Sequence, residues 1–234
     1  MAAHGSRNYA YLFTVGSQVG NCADYGRQLR HRSGFGSRVL QAGSTVIITG
    51  RRESALKDAQ HKHPKLLTYV NDASIAEDRE ELSRWVVKHH PQVNVLVNNA
   101  GIQRRGPLSK EPEDWSIRQS EIAINIEAPV HLMQLLTPHF LQQKEAAFIN
   151  ISSGLAYIPC GFAPVYGGTK AFLHHFTMGS RFHYAKTNIR IVEIAPPAVK
   201  SNLGGSHDYG EECDEFCDHV FKRFAAGEAE IGTR

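Results

Sequence analysis

Two side chains that can carry and stabilise a proton stand four residues apart in this sequence. Tyr166 and Lys170 form a Y-x-x-x-K pattern at the start of a segment with helical periodicity. In a helix, side chains at positions i and i+4 share one face, so the phenol and the ammonium group come close together. Tyrosine has a pKa of about 10 and is a poor base at neutral pH, and a nearby cation favours its ionised form. The pattern indicates acid–base chemistry, although a core tyrosine beside a surface lysine has the same spacing.

Two further polar features occur where predicted strands end. Ser153 follows a run rich in Ile and Phe and stands thirteen residues before Tyr166. The tetrapeptide Asn98-Asn99-Ala100-Gly101 follows the strand-like run V-N-V-L-V. In α/β proteins, ligands bind outside the carboxyl ends of parallel strands. We therefore expect both features to lie at one edge of a sheet, beside Tyr166 and Lys170.

The elements that must position these residues alternate along the chain. Short β-branched runs alternate with longer segments of helical period, which predicts an α/β fold: one domain with a doubly wound, Rossmann-like parallel sheet. We expect strands at residues 45–49, 66–71, 93–97, 147–152 and 189–195, and helices at 53–62, 76–90, 112–141, 165–186 and 213–226. Pro129 predicts a kink in the long helix. Residues 201–234 would form a substrate lid and a C-terminal helical region.

The order and spacing of these motifs resemble the short-chain dehydrogenase/reductase family. The resemblance runs from about residue 44 to the C-terminus and rests on N-N-A-G, Asn125, Ser153, Tyr166 and Lys170. The stretch G-L-A-Y-I-P-C-G-F-A-P-V-Y-G-G-T-K-A-F is most similar to the DltE-like branch of general oxidoreductases in that family. The resemblance implies hydride transfer between an alcohol or a carbonyl and a nicotinamide cofactor.

The resemblance also implies a role for each of four catalytic residues. Tyr166 would be the general acid or base at the reacting oxygen, and Lys170 would favour its phenolate and hold the nicotinamide ribose. Ser153 would hydrogen-bond the substrate oxygen and stabilise its developing charge; Ser152 is the alternative. Asn125 would complete a proton relay through water, but it could instead be a polar residue at the helix kink.

The charges after the strand expected at residues 45–49, which corresponds to the family's second strand, favour NADP(H) over NAD(H). In such folds an acid at this place binds the ribose hydroxyls, whereas basic residues accommodate a 2′-phosphate. Here Arg51 and Arg52 precede any acid, and Arg51 is the stronger candidate. The remaining cofactor residues implied by the resemblance are Asp72 at the adenine, Asn98, Ala100 and Gly101 after their strand, and Pro196, Val199 and Ser201 near the nicotinamide, together with Tyr166 and Lys170.

The family's glycine-rich motif, T-G-x-x-x-G-x-G after the first strand, is missing. Such a loop brings backbone N–H groups and a helix N-terminus to the pyrophosphate. In its place, residues 21–41 read N-C-A-D-Y-G-R-Q-L-R-H-R-S-G-F-G-S-R-V-L-Q. Permitted codons for this segment, read one nucleotide later, include T-A-L-I-T-G-G-S-S-G-I-G-L-A-L-A-A-E-F-F-K. We therefore hypothesise a frameshift that disrupts the first strand and the loop. Alternatively, residues 9–20 supply a replacement strand.

Composition sets the remaining expectations. The 234 residues are 41% hydrophobic with a net charge of +3, which suits one globular domain and gives no basis for nucleic-acid binding. No apolar run is long enough to span a membrane, and no secretory signal precedes the domain, so we expect a cytoplasmic protein. The four cysteines lack the spacing of a zinc site, so we expect no metal.

Partners and alternatives follow from the same reading. Apolar walls near residues 103–108, 155–162 and 203–216 predict a small hydrophobic carbonyl or alcohol substrate. Relatives suggest a homodimer or homotetramer. The alternative function is a non-catalytic relative that cannot bind cofactor because its glycine-rich loop is missing.

Overall fold

Seven parallel strands form the centre of the protein in the computed structural model, which describes residues 10–14, 35–106, 108, 114–200, 203 and 209–232. The strands are β1 (Ala10–Thr14), β2 (Thr45–Gly50), β3 (Leu67–Val70), β4 (Val95–Asn98), β5 (Ala146–Ile151), β6 (Ile189–Ala195) and β7 (Glu230–Gly232). Their order in the sheet is β3-β2-β1-β4-β5-β6-β7, and every pair is parallel. This order confirms the doubly wound α/β fold, and it reverses between β1 and β4.

Helices connect these strands and cover both faces of the sheet. They are α1 (Phe35–Gln41), α2 (Glu53–Lys62), α3 (Ala76–His89), α4 (Trp115–Ile122), α5 (Ala128–Phe140), α6 (Pro164–Tyr184) and α7 (Cys213–Ala225). Side chains alternate between the two faces: Val46 and Ile48 pack with α1, α2 and α7, whereas Ile47 packs with α3 and α5. Because helices cover both faces, buried apolar side chains predominate on both faces of the central strands.

The first strand is present, which corrects the expectation of a disrupted one. β1 lies between β2 and β4, with Leu12 aligned to Ile47 and Leu96 and fully buried. The alternative reading thus locates the strand, although its link to α1 is long. The extra length costs little, because the entropic free-energy cost of closing a loop grows only with the logarithm of its length. An empty central position would instead leave two rows of backbone groups unpaired.

The segment that should hold the glycine-rich loop is only partly described. Residues 21–34 lie outside the described residues, and 35–41 form α1. The frameshift hypothesis therefore stays a prediction.

The long helix expected over residues 112–141 is interrupted. Helix α4 begins at Trp115, one π-helical turn follows at Ala123–Glu127, and α5 begins at Ala128, with Pro129 in its first turn. The interruption thus precedes the proline that was expected to cause it. A π turn inserts an extra residue per turn and often occurs at functional sites, and Asn125 lies within this one.

Two features are absent from the described part of the chain. None of its helices is both long and apolar enough to cross a bilayer. Nor do three His, Cys, Asp or Glu side chains there come together in a way that could hold a metal ion.

Candidate active site

The first turns of α6 bring Tyr166 and Lys170 together. Both side chains are buried, with 3% and 4% of their surface exposed. The Lys170 ammonium donates a hydrogen bond to the carbonyl of Ile151 at 2.7 Å, and its Nζ lies 5.7 Å from the centre of the Tyr166 ring. The helix thus fixes the lysine beside the tyrosine and anchors it to the end of β5.

Ser153 reaches the same place from the end of β5. It precedes a short 3-10 turn, Gly154–Ala156, where its hydroxyl accepts a hydrogen bond from the Leu155 N–H at 3.2 Å. The Ser153 hydroxyl also interacts with Tyr166, where it favours the ionised phenol and so lowers its pKa. The neighbouring Ser152 is buried against β6, where its N–H bonds the carbonyl of Ile194 at 2.8 Å. Ser153, and not Ser152, therefore contacts the tyrosine.

Burial is the main cause of the pKa shifts of both Tyr166 and Lys170. It raises the pKa of Tyr166 to about 12; the hydrogen bond from Ser153 opposes this shift, and the negative charge of Glu121 adds to it. Burial also lowers the pKa of the Lys170 ammonium to about 8. At neutral pH, Tyr166 is therefore a phenol that can donate a proton, and Lys170 is largely charged.

Asn125 connects the loop after β4 to α6. Its side-chain NH2 donates to the Ile102 carbonyl and to the Thr169 hydroxyl, both at 2.9 Å, and its oxygen accepts from the Ile102 N–H at 2.9 Å. Thr169 lies between Tyr166 and Lys170 in sequence and donates to the Tyr166 carbonyl at 2.7 Å. The π turn thus places a buried amide against the catalytic helix, and the proton-relay role of Asn125 stays a prediction.

The residues after β4 lie against these groups. A side chain at Gly101 would come within 3.5 Å of both the Asn125 oxygen and the Lys170 ammonium. Asn98 lies one layer deeper, donating to the side-chain oxygen of Asn150 on β5 at 2.8 Å. Ala100 lies between them, partly buried. Gly101 is thus placed beside Lys170, whereas Asn98 joins neighbouring strands.

The basic residues after β2 occupy the same edge of the sheet, on the other side of β1. Arg51 Nη1 lies 3.1 Å from an oxygen of Asp72, which follows β3. Asp72 also accepts hydrogen bonds from the N–H and hydroxyl of Ser74 at 2.9 and 2.7 Å. Burial raises the pKa of Asp72, but these bonds and the charge of Arg51 outweigh it, so the pKa lies below its usual value. Arg52 occupies the N-cap of α2 without a capping hydrogen bond from its side chain.

The segment after β6 completes the described site. The Pro196 carbonyl accepts a hydrogen bond from the Gly154 N–H at 2.8 Å, which joins this segment to the turn that carries Ser153. Val199 forms a β-bridge with Glu211 just before α7. Ser201 lies outside the described residues.

Sequence reasoning missed Glu121 and Thr169. Glu121 precedes Asn125 by four residues, so the two share a helical face, and Thr169 lies inside the Y-x-x-x-K pattern. Each spacing was visible in the sequence. Only the packing of α4 and the π turn against α6 shows that both side chains belong to the site.

Comparisons with known proteins agree with this geometry. The family model described as short chain dehydrogenase matches residues 33–211. The uncharacterized oxidoreductase DltE of Bacillus subtilis is 38% identical over 201 residues, covering 83% of this chain and 80% of that protein. The NADP-dependent 3-hydroxy acid dehydrogenase YdfG of Escherichia coli is 30% identical over 182 residues, covering 71% and 69%. A short-chain dehydrogenase from Sphingobium yanoikuyae, solved in complex with NADPH, superposes with a TM-score of 0.80 at 19% identity, covering 96% and 87%.

Proposed function

Because this chain belongs to the short-chain dehydrogenase/reductase family of oxidoreductases, we propose that it uses NADP(H) to interconvert an alcohol and a carbonyl. The observation that carries the proposal is the buried pair of Tyr166 and Lys170, in which the Lys170 Nζ lies 5.7 Å from the centre of the Tyr166 ring and Ser153 acts on the phenol. This arrangement supplies a proton donor, a hydrogen-bonding hydroxyl and a cation at one point.

The residues at this edge fit a nicotinamide dinucleotide. A lysine ammonium has three N–H donors, and Lys170 gives one to Ile151, so two can bind the hydroxyls of a ribose. Gly101 presents no side chain towards Lys170, which leaves space beside the ammonium. The bound cofactor would supply or accept the hydride.

We assign the preference for NADP(H) to Arg51. Its guanidinium is partly exposed at the end of β2, and one nitrogen pairs with Asp72. A guanidinium is always charged and presents its N–H donors in a planar fork that matches the geometry of a phosphate. The E. coli relative named as NADP-dependent supports the same preference.

In the direction of reduction, Tyr166 gives its hydroxyl proton to the carbonyl oxygen of the substrate. Ser153 donates a hydrogen bond to the same oxygen and stabilises its negative charge as it develops. The Lys170 ammonium then lowers the free energy of the phenolate left on Tyr166. In the direction of oxidation, the phenolate removes the proton of the alcohol.

We propose a small, largely hydrophobic substrate. The segment that joins Ser153 to Tyr166 exposes Ile158 and Phe162, and apolar side chains next to a catalytic pair favour apolar substrates. Arg105, whose guanidinium lies 5.1 Å from the centre of the Phe162 ring, adds a positive charge to this wall. Relatives of this family suggest a homodimer or homotetramer, which analytical ultracentrifugation would test.

The first experiment is a fluorescence titration of the purified chain with NADPH and NADH. A second protein carries the T-A-L-I-T-G-G-S-S-G-I-G-L-A-L-A-A-E-F-F-K sequence in place of residues 21–41. Tight NADPH binding by the chain as written would support the proposal. Binding only by the second protein would mean that the chain as written is the non-catalytic alternative.

The second experiment compares turnover of the wild type with that of Tyr166→Phe on a panel of small ketones and aldehydes. Losing the acid–base group should lower kcat by about 10²- to 10⁴-fold, far more than it weakens NADPH binding. Tyr69→Phe, on β3 at the edge of the sheet, is the matched control and should change neither value. Equal turnover in wild type and Tyr166→Phe would refute the assignment.

A further inference from the structure

Glu121 and Asn125 together hold the backbone that follows β4. Asn125 binds both the N–H and the carbonyl of Ile102, and Glu121 Oε1 accepts a hydrogen bond from the Arg104 N–H at 3.1 Å. The two side chains are four residues apart, and they bind alternate residues of the loop. The two side chains therefore bond the backbone groups of the loop, as a neighbouring strand would do in a sheet.

The Glu121 carboxylate lies in a strongly desolvated place. It is fully buried, and its second oxygen lies 3.5 Å from Arg118 Nη1. The Arg118 side chain is itself only 8% exposed. That oxygen, Oε2, has no hydrogen-bond partner among the described residues. A buried carboxylate with an unbonded oxygen costs free energy. A neutral glutamine could accept the same Arg104 hydrogen bond at lower cost, so holding the loop does not explain the charge.

We propose that Glu121 is a positioning residue of the reaction, which fixes the 102–104 loop and supplies the buried negative charge that opposes Lys170 at Tyr166. The proposal rests on the function proposed above. Because a negative charge favours the protonated phenol, Glu121 would bias the site towards donating a proton, that is, towards reduction of a carbonyl.

The charges around these groups support this direction. Burial raises the pKa of Glu121, and the Arg104 N–H and the charge of Arg118 oppose that rise. The negative charge of Glu121 in turn raises the pKa of Tyr166. The charged or titratable groups facing the two are Arg118 on α4, Arg104 on the loop and Lys170 on α6. Glu121 is the acid among them.

The test measures the ionisation of Tyr166 in the protein without cofactor, by 13C NMR of protein labelled at the tyrosine Cζ. Tyr166→Phe identifies the resonance. Glu121→Gln keeps an acceptor for the Arg104 N–H and removes the charge. Loss of one nearby negative charge should lower the Tyr166 pKa by roughly 0.5 to 1 unit, so the phenolate fraction at pH 11 should rise about 3- to 5-fold.

Two comparison variants make the test decisive. Glu80→Gln removes an exposed carboxylate on α3 that pairs with Arg84, and should leave the Tyr166 ionisation unchanged. Where the single variant does not fold, the double variant Glu121→Gln/Arg118→Gln is compared with Arg118→Gln alone, which again isolates the loss of the carboxylate. An unchanged phenolate fraction on removal of the Glu121 charge in either comparison would overturn the proposal.

Failure of this inference can be told apart from failure of the proposed function. NADPH binding and turnover by the wild type test the function, whereas the NMR titration needs neither. Where turnover is measured, the alkaline limit of reduction should move to lower pH in Glu121→Gln by the same amount as the titration. The KM for NADPH should stay within about twofold; an alkaline limit at the wild-type pH would contradict the role of the charge.

Discussion

Replacing Lys170 with methionine should make the folded protein more stable at neutral pH. Burial lowers the pKa of this ammonium to about 8 from its usual 10.5, so keeping it charged in the folded state costs about 3 kcal/mol at pH 7. Methionine has a similar volume and no charge. The Ile151 carbonyl loses its 2.7 Å hydrogen bond, which costs about 1 kcal/mol. We therefore expect Lys170→Met to raise the free energy of unfolding by about 2 kcal/mol at pH 7.

The sign of the pH dependence follows from the same shift. Between about pH 8 and 10.5 the unfolded chain keeps a proton that the folded protein has released, so wild-type stability rises with pH there. The advantage of Lys170→Met should consequently shrink as pH rises and disappear near pH 10. Urea unfolding followed by circular dichroism at pH 7, 8.5 and 10 measures this.

The matched control is Lys57→Met, because Lys57 is 70% exposed and pairs with Glu53 on the surface of α2. It should change stability by less than about 0.5 kcal/mol at each pH. A Lys170→Met protein that is less stable than wild type at pH 7 would refute the reasoning. So would a stability difference that stays constant with pH.

Leu12→Ala should lower the free energy of unfolding by about 2–5 kcal/mol, because Leu12 is fully buried in the central strand; a change below about 0.5 kcal/mol in urea unfolding would mean that residues 10–14 are not in the sheet. Arg51→Ala should weaken NADPH binding about 10- to 100-fold through the loss of charge-assisted hydrogen bonds and NADH binding by less than about twofold; equal losses in fluorescence titrations would contradict the 2′-phosphate role. Asn125→Leu should destabilise the protein by about 2–4 kcal/mol in urea unfolding, because it leaves buried partners on Ile102 and Thr169 unpaired; unchanged stability would show that these bonds contribute nothing. Gly168→Ala should raise stability by about 1 kcal/mol, since a methyl group there contacts nothing within 4 Å; a lower thermal midpoint would disprove it.

Most of the fold was predictable because the sequence signals for most helices and strands extend over only a few residues. The periodicity gave helix α2 at its observed bounds and placed β2, β5 and β6 within one residue. Apolar alternation and caps act over a few residues, so they can be read along the chain. Predictions failed where the position of an element depends on residues that are distant in the sequence. The strand within residues 9–20 was only the alternative expectation, because its pairing with β2 and β4, which determines its place, leaves no local signal in the sequence.

For the candidate site, the sequence by itself determined the proton-transfer chemistry: Tyr166 and Lys170 share a helical face wherever that helix forms, and strand ends carry Ser153 and Gly101. Only the tertiary structure decided that Ser153 rather than Ser152 contacts the phenol, and that a π turn presents Asn125 to α6. It also showed that Glu121 is buried and binds the Arg104 N–H in the loop after β4. The physical reason is that local spacing fixes which side chains share a face, whereas desolvation and charge interactions depend on which elements pack against that face.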